Sequence, residues 1–365
     1  MANPTAPLST VFATIATWVE DRFSLNELKA MGAKKTVPVH KTSLWYYLGG
    51  VALILLVIQT LTGGLLMAHY IPEIGSAHAS VQQINNKVEF GWLIRSMHSW
   101  GANIMILALF VHMFSTFFMR AYRPPREITW LTGMVMLVVA FGFGFTGYLL
   151  PWDEVSFFAT KIGVDISSKS PLIGDILGNL LRGGADIGQG TISRFFMIHV
   201  FVLPLVLMGL LGLHLMMIQF HGISEPEGYQ KLPEGEKKRE PFFPAFMLKD
   251  AVVWLLVITG VVLLSALAPW GLGPEANPYN PAPAGIKPEW YFLAMFQFLK
   301  LVPPHVGPME GEQAGMVFFG LIGGGLAMAP FIDRGHNPFI ARMMRLFGIA
   351  VLIGLIVFTI WGYMS

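Results

Sequence analysis

The sequence contains no cysteine and little charge. With 0 Cys among 365 residues, disulfides, thiolate ligation of an iron–sulfur cluster and thioether attachment of a haem are all excluded within this chain. Charged residues make up 13%, about half the ~25% usual for soluble domains. The remainder is 54% hydrophobic, with a mean hydropathy of +0.58. Those values indicate an all-α integral membrane protein. A formal net charge of +2 says little, because the distribution of charge matters more than the sum; no nucleic-acid partner is expected. No internal repeat is evident.

Seven apolar stretches are long enough to cross a bilayer, at 44–70, 94–119, 128–150, 195–220, 251–269, 316–332 and 347–363. Residues 8–29 instead read as an amphipathic surface helix, with Val11, Phe12, Ile15, Trp18 and Val19 on one side. The chain thus divides into a surface segment (1–43), a four-helix part (44–222) and a three-helix part (223–365). If the N-terminus is cytoplasmic, 16 of the 24 Lys and Arg lie on that side and 8 on the other. The positive-inside rule selects this orientation.

Two of the spans carry paired histidines. His98 and His112 are 14 residues apart, His199 and His214 15 apart. Both intervals return a side chain to within roughly 40–60° of one helix face, about 21–22 Å further along. Histidine inside a span is costly and marks function. Because both helices enter from the same side, His98 pairs with His199 at the outer level and His112 with His214 at the inner. Gly49 and Gly63, and Gly133 and Gly147, repeat the 14-residue interval in the two other spans of the bundle. Small residues also tighten helix packing. In register with the histidines, however, they provide the clearance that a flat macrocycle needs and a bare cation does not. The pattern reads as two bis-histidine haems stacked across the membrane.

Arg95 and Arg194 precede the outer histidines by three and five residues and are candidates for haem propionates. The loops 151–194 and 271–308 are long, rich in aromatics and on the outer side. The second ends in Pro288-Glu289-Trp290-Tyr291, which sets a carboxyl among aromatics where it resists ionisation and suits proton transfer.

Four stretches carry a close resemblance to cytochrome b, the membrane core of quinol–cytochrome c and quinol–plastocyanin oxidoreductases. They are Phe90 to His98 (FGWLIRSMH), Gly147 to Asp153 (GYLLPWD), Arg194-Phe195-Phe196 before His199, and Pro288 to Tyr291. The similarity runs from about Trp18 to the C-terminus. The 15-residue histidine spacing and the three later spans resemble chloroplast-type cytochrome b6 fused to its subunit IV, joined near 222–241. The chain departs from that branch at Tyr47, where the relative has a cysteine that binds an extra haem, so a covalent c-type haem is not expected. Ser115 stands where relatives often carry a propionate-binding arginine.

The resemblance implies two non-covalent b-type haems and a Q cycle. Quinol would be oxidised at an outer site, with Glu289 as proton acceptor and Tyr291, Tyr148 and Asp153 as further candidates. One electron would pass to a separate Rieske iron–sulfur protein, and from there to a c-type cytochrome. The other would cross the two haems to quinone at an inner site, where Asp250 would donate protons and His221 and Ser224 lie nearby. A homodimer within a larger complex, in a bacterial inner or thylakoid-like membrane, is also implied. A dihaem anchor of a hydrogenase or formate dehydrogenase explains the histidines, but not the three further spans or the 288–291 motif. A transporter with polar residues at mid-membrane predicts no haem and leaves the glycine register unexplained.

Overall fold

In hydrocarbon every backbone N–H must find its partner within its own segment, so apolar runs of this length become helices. The computed structural model describes residues 8–24, 26–27 and 35–365. The N-terminal helix α1 spans Leu8–Phe23; the rest of the expected segment, to residue 29, lies partly outside the described residues. Then follow α2 (Tyr47–Met67), α3 (Ala77–Lys87), α4 (Gly91–Phe118) and α5 (Glu127–Leu149). The long loop after α5 folds into two short helices, α6 (Glu154–Ser168) and α7 (Gly174–Arg182). The helix α8 runs Gln189–His221 and α9 Met247–Leu267. The C-terminal part adds α10 (Trp290–Leu299), α11 (Gly311–Ala327) and α12 (Pro338–Met364).

Among the described residues, six helical stretches, containing α2, α4, α5, α8, α9 and α12, have the length and composition of membrane spans. The stretch expected at 316–332 forms the 17-residue α11, then a separate turn at Ala329–Ile332 containing Pro330. Seventeen residues rise about 26 Å, slightly less than a ~30 Å hydrocarbon core. Outward-facing side chains such as Leu61, Val138, Leu205, Leu256 and Leu321 are 64–70% exposed. In water such a surface would aggregate; against lipid it is the expected exterior.

One irregularity bears on the site. Within α8, Ile198–Val202 forms a wider π-turn. Pro204 follows two residues later and has no N–H to donate backward. The π-turn takes up the extra residue that separates the 15-residue histidine interval here from the 14 on α4.

Several contacts tie the halves of the chain together. The strand β1 (Thr36–Pro38) pairs antiparallel with β2 (Arg239–Pro241), so the approach to α2 holds the linker that leads to α9. The Tyr46 hydroxyl donates to Ser224 O at 2.6 Å in the same linker. On the same face, Arg123 binds Asp333 at 2.7 Å and also pairs with Glu227, which takes Arg120 as well. Tyr122, buried, donates to Asp333 at 2.8 Å. Burial raises the Asp333 carboxyl, but the bonds from Arg123 and Tyr122 outweigh it and hold it below the usual range. The clasp is therefore intact at neutral pH and is lost as acid titrates Asp333 below the ordinary carboxylate value of about 3.9. Asp333→Asn is expected to cost about 3 kcal/mol, because one buried partner of an ion pair is removed while the other remains. A lowered thermal unfolding midpoint in detergent measures the loss; an unchanged midpoint rejects it.

Candidate functional site

Helices α4 and α8 present their histidines toward each other, and α2 and α5 lie beside them. The imidazoles of His98 and His199 face across the bundle with ring centroids 6.3 Å apart. A metal bound between two imidazole nitrogens at about 2 Å each needs centroids roughly 6 Å apart, so this pair has the right gap. Among the described residues no three His, Asp or Glu side chains converge as metal ligands. Two protein ligands are too few for a bare ion but suffice when a macrocycle supplies the remaining four positions.

The four glycines each stand beside one of these rings, and at two of them a side chain would strike it. A Cβ at Gly147 would lie 2.6 Å from His199 Cε1, and one at Gly63 would lie 3.1 Å from His98 Cε1. At Gly49 and Gly133 the distances to the Cε1 atoms of His112 and His214 are 3.5 Å, ordinary contact. The clearance therefore serves first the imidazoles themselves, which stand flush against the glycine-bearing helices. It follows that Gly147→Ala should lose most of its outer haem and destabilise the fold by about 1–3 kcal/mol. Gly49→Ala and Gly133→Ala should keep theirs, as haem-to-protein ratios will show; equal loss in all three would contradict this ranking.

Beside three of the glycines lies a residue type that periodicity missed. Thr62, Thr132 and Thr146 each precede a glycine of the set, and their hydroxyls meet Nδ1 of His98 (3.0 Å), His214 (3.0 Å) and His199 (3.2 Å). Each hydroxyl donates to a carbonyl one turn back, at 2.6 Å from Thr62 to Ile58 O. Its lone pairs thus accept from Nδ1–H, leaving Nε2 unprotonated and aimed inward. Such partners fix ring orientation and tautomer at metal sites. The fourth glycine follows Leu48 instead, and His112 Nδ1 is buried with no partner. The only sequence trace of these contacts is a repeated Thr-Gly dipeptide, which also occurs at 259–260 in α9, away from the histidines.

The two arginines expected at the outer level are engaged with the backbone. Arg95, buried, donates from Nη1 to Trp270 O (2.9 Å) and from Nη2 to Gly271 O (2.8 Å), fixing the start of the loop after α9. Arg194 donates to Asn179 O and Leu180 O at the end of α7. Neither pairing, across 175 and 15 residues, follows from sequence position.

At the outer end, the candidates of the second site come together. Glu289 stands at the start of α10 with its carboxyl free of any capping bond. Burial, then the neighbouring Asp153, raises its pKa above the usual carboxylate value. Tyr148 and Tyr291 lie within electrostatic reach of this carboxyl and of one another. The Tyr291 ring stacks on Phe141, and its hydroxyl lies over Gly144. Trp290 is pinned by Nε1 donating to Asn103 Oδ1 at 2.8 Å, a contact to α4 that the sequence did not reveal. Asp153 caps α6 by accepting from Ser156 N at 2.9 Å.

At the opposite end of the bundle, Asp250 presses on Gly50, and its Oδ1 is buried without a partner. Lys249, its neighbour in sequence, pairs with Glu240. Tyr47 stacks on Phe246 with ring centroids 4.8 Å apart. A polar pocket of about 270 Å³ nearby is lined by Arg126, His221, Glu225 and Arg239. Arg126 Nε and His221 Nδ1 lack partners there.

Comparison with known proteins agrees with this geometry. The cytochrome b/b6/petB family model matches residues 33–222, and the cytochrome b(C-terminal)/b6/petD model matches 275–365. The chain is 44% identical over 349 residues to a cytochrome bc complex cytochrome b subunit of Chlorobaculum thiosulfatiphilum, covering 94% of this chain and 80% of that one. It is 43% identical over 209 residues to cytochrome b6 of Cyanothece sp., covering 57% and 94%. A chain of the solved structure titled hyperthermophilic respiratory Complex III superposes with a TM-score of 0.82 at 28% identity, over 96% of this chain and 91% of that one. These matches favour the bc-complex reading over a hydrogenase or formate dehydrogenase anchor. The chain belongs to the cytochrome b/b6 family, with the b6 and subunit IV parts fused in one polypeptide, and is the redox-active membrane core of a bc-type complex.

Proposed function

We propose that His98 with His199 and His112 with His214 each hold one b-type haem non-covalently, and that the chain runs a Q cycle between two quinone sites. The observation that carries this is the set of four histidines, in two levels, each seated on a glycine. When bound, the two haems supply a one-electron relay across the membrane. Arg95 and Arg194 keep N–H donors beyond those spent on carbonyls, and these suit the haem propionates. Tyr47 offers no thiol, so no covalent haem is proposed.

In this reading the outer pocket binds quinol between Glu289, Tyr291, Tyr148 and the start of α6. The uncapped, raised carboxyl of Glu289 accepts the hydroxyl proton and can release it to the outside. Tyr291 and Tyr148 position the ring, and Asp153 holds α6 in place as its cap. At the inner end Asp250, beside Gly50, returns protons to quinone. A cytoplasmic N-terminus, seven spans with α11 as the sixth, and the division at 43 and 222 complete the proposed arrangement, with α1 on the membrane surface. A Rieske protein, a c-type cytochrome and a second copy of this chain are the proposed partners, in a bacterial inner or thylakoid-like membrane.

A pyridine haemochrome assay with reductive optical titration tests the core of this. Two b haems per chain, titrating at separate potentials, are expected. No haem overturns the proposal, and one haem makes one histidine pair structural.

A further inference from the structure

We infer that the polar pocket at the inner end of the bundle seats a carboxylate, and that this carboxylate is a propionate arm of the inner haem; the assignment rests on the haem ligation proposed above. Helix geometry directs the pocket's side chains to that level. Arg126 lies seven residues before Gly133, and His221 seven residues after His214. Seven residues return a side chain to within about 20° of the same face, about 10 Å further along. Arg126 keeps the helical path, since Trp130 N donates to its carbonyl at 3.0 Å. Gly133 stands against the His214 ring. Both residues are therefore two turns below the inner pair, on the faces that hold it. On α2, Tyr46 lies three residues before Gly49 and donates to Ser224 O at 2.6 Å, between the lining residues Ile223 and Glu225.

The pocket has the chemistry of an anion site. Arg126 Nε and His221 Nδ1 are buried with no partner, and a buried donor left unmatched is costly. Arg126 spends Nη2 on His221 O at 3.1 Å and forms no ion pair among the described residues. Glu225, the carboxylate in the lining, is bound by Arg239 at 2.5 Å. Two guanidinium groups against one carboxylate leave a positive charge, and it rests on Arg126. The volume of about 270 Å³ falls below the 300–1,000 Å³ of a site for a whole small molecule. It suits one acidic arm of a ligand anchored elsewhere.

Helix α4 supplies no such cation at this level. Ser115 and Thr116 turn their hydroxyls back to His112 O, at 2.8 and 3.0 Å. Arg120, further along, is held by Glu227. The start of α5 takes this role instead.

The test uses the full-length protein in detergent, with haems counted first and their midpoint potentials then titrated optically. Arg126→Gln should keep two haems per chain and lower the inner potential, because the lost cation favoured the reduced form. A unit charge about 10 Å away, at an effective dielectric near 20, changes a one-electron equilibrium roughly tenfold, a fall of about 59 mV. The outer haem, about 20 Å beyond the inner level, should move far less, and Arg126→Lys should recover most of the shift. In redox difference infrared spectra, bands of isotopically labelled propionates should move in Arg126→Gln. His221→Phe removes the second donor but keeps a ring; it should lower the inner potential by a smaller step, and it answers the question if Arg126→Gln does not fold. Equal shifts at both haems, or an inner potential unchanged in both variants, overturn the assignment. A wild-type inner potential that follows added inorganic phosphate at constant ionic strength makes the occupant a free anion and also overturns it. Wild type without haem rejects the ligation itself, and this assignment with it.

Discussion

His199→Leu is expected to leave one haem per chain instead of two, with the surviving absorbance belonging to the inner pair. The outer site depends on two imidazoles held 6.3 Å apart, each oriented by its own threonine. Removing one would leave a single imidazole to hold a haem in a gap sized for two. Leucine fills volume but supplies no electron pair, so haem affinity at that level collapses rather than weakening. His98→Leu should behave the same way, since the pair acts as a unit. The threonine contacts predict a smaller step: Thr146→Val keeps the ligand but frees its ring, and losses of 10–100-fold in affinity are typical when such a partner is removed. Pyridine haemochrome stoichiometry in purified protein decides the matter. Two haems retained in His199→Leu would show that the outer level is built from other ligands.

The second large effect is at Glu289. Glu289→Gln should lower quinol oxidation by about 10²–10⁴-fold, the range for losing a general base, while both haems remain. The carboxyl must be ionised to take a proton, and burial beside Asp153 raises its pKa. Wild-type activity should therefore fall as pH drops through that raised value. In the glutamine variant the acid limb should vanish, leaving a low, flat rate. Because Glu289 makes no capping bond to α10, the substitution removes a charge without removing a structural contact. A rate within threefold of wild type, or an acid limb that persists in Glu289→Gln, would assign the proton to another group.

Much of the bundle was legible in sequence because bilayers impose length and period on a chain. The histidine and glycine intervals follow from helix geometry, and the shared direction of the two helices put His98 opposite His199, where the rings face each other. The short helices in the 151–194 loop were also readable, from their spaced apolar residues. Contacts made across large separations were not. Arg95 meets Trp270 O 175 residues later, and Trp290 meets Asn103 across 187; no local pattern encodes either partner. The stretch at 316–332 was misjudged in its bounds: α11 begins earlier, at Gly311, and ends at Ala327. The following Pro330 leads a separate turn, and hydropathy does not register such a break. The threonines lay between these cases. Thr-Gly occurs at 62–63, 132–133 and 146–147, but also at 259–260 in α9, and hydroxyl residues in a span satisfy a carbonyl one turn back as a matter of course, so the dipeptide alone did not single out these three.

The π-turn at Ile198–Val202 has a consequence for heredity. An inserted codon in a straight helix rotates everything beyond it by about 100°, which would swing His214 off the haem face and abolish the inner site. A turn that lodges the additional residue confines that rotation to five positions. Helix α8 thus carries one residue more between its histidines than α4 does and still presents both to one partner helix, because the backbone absorbs the difference within one turn.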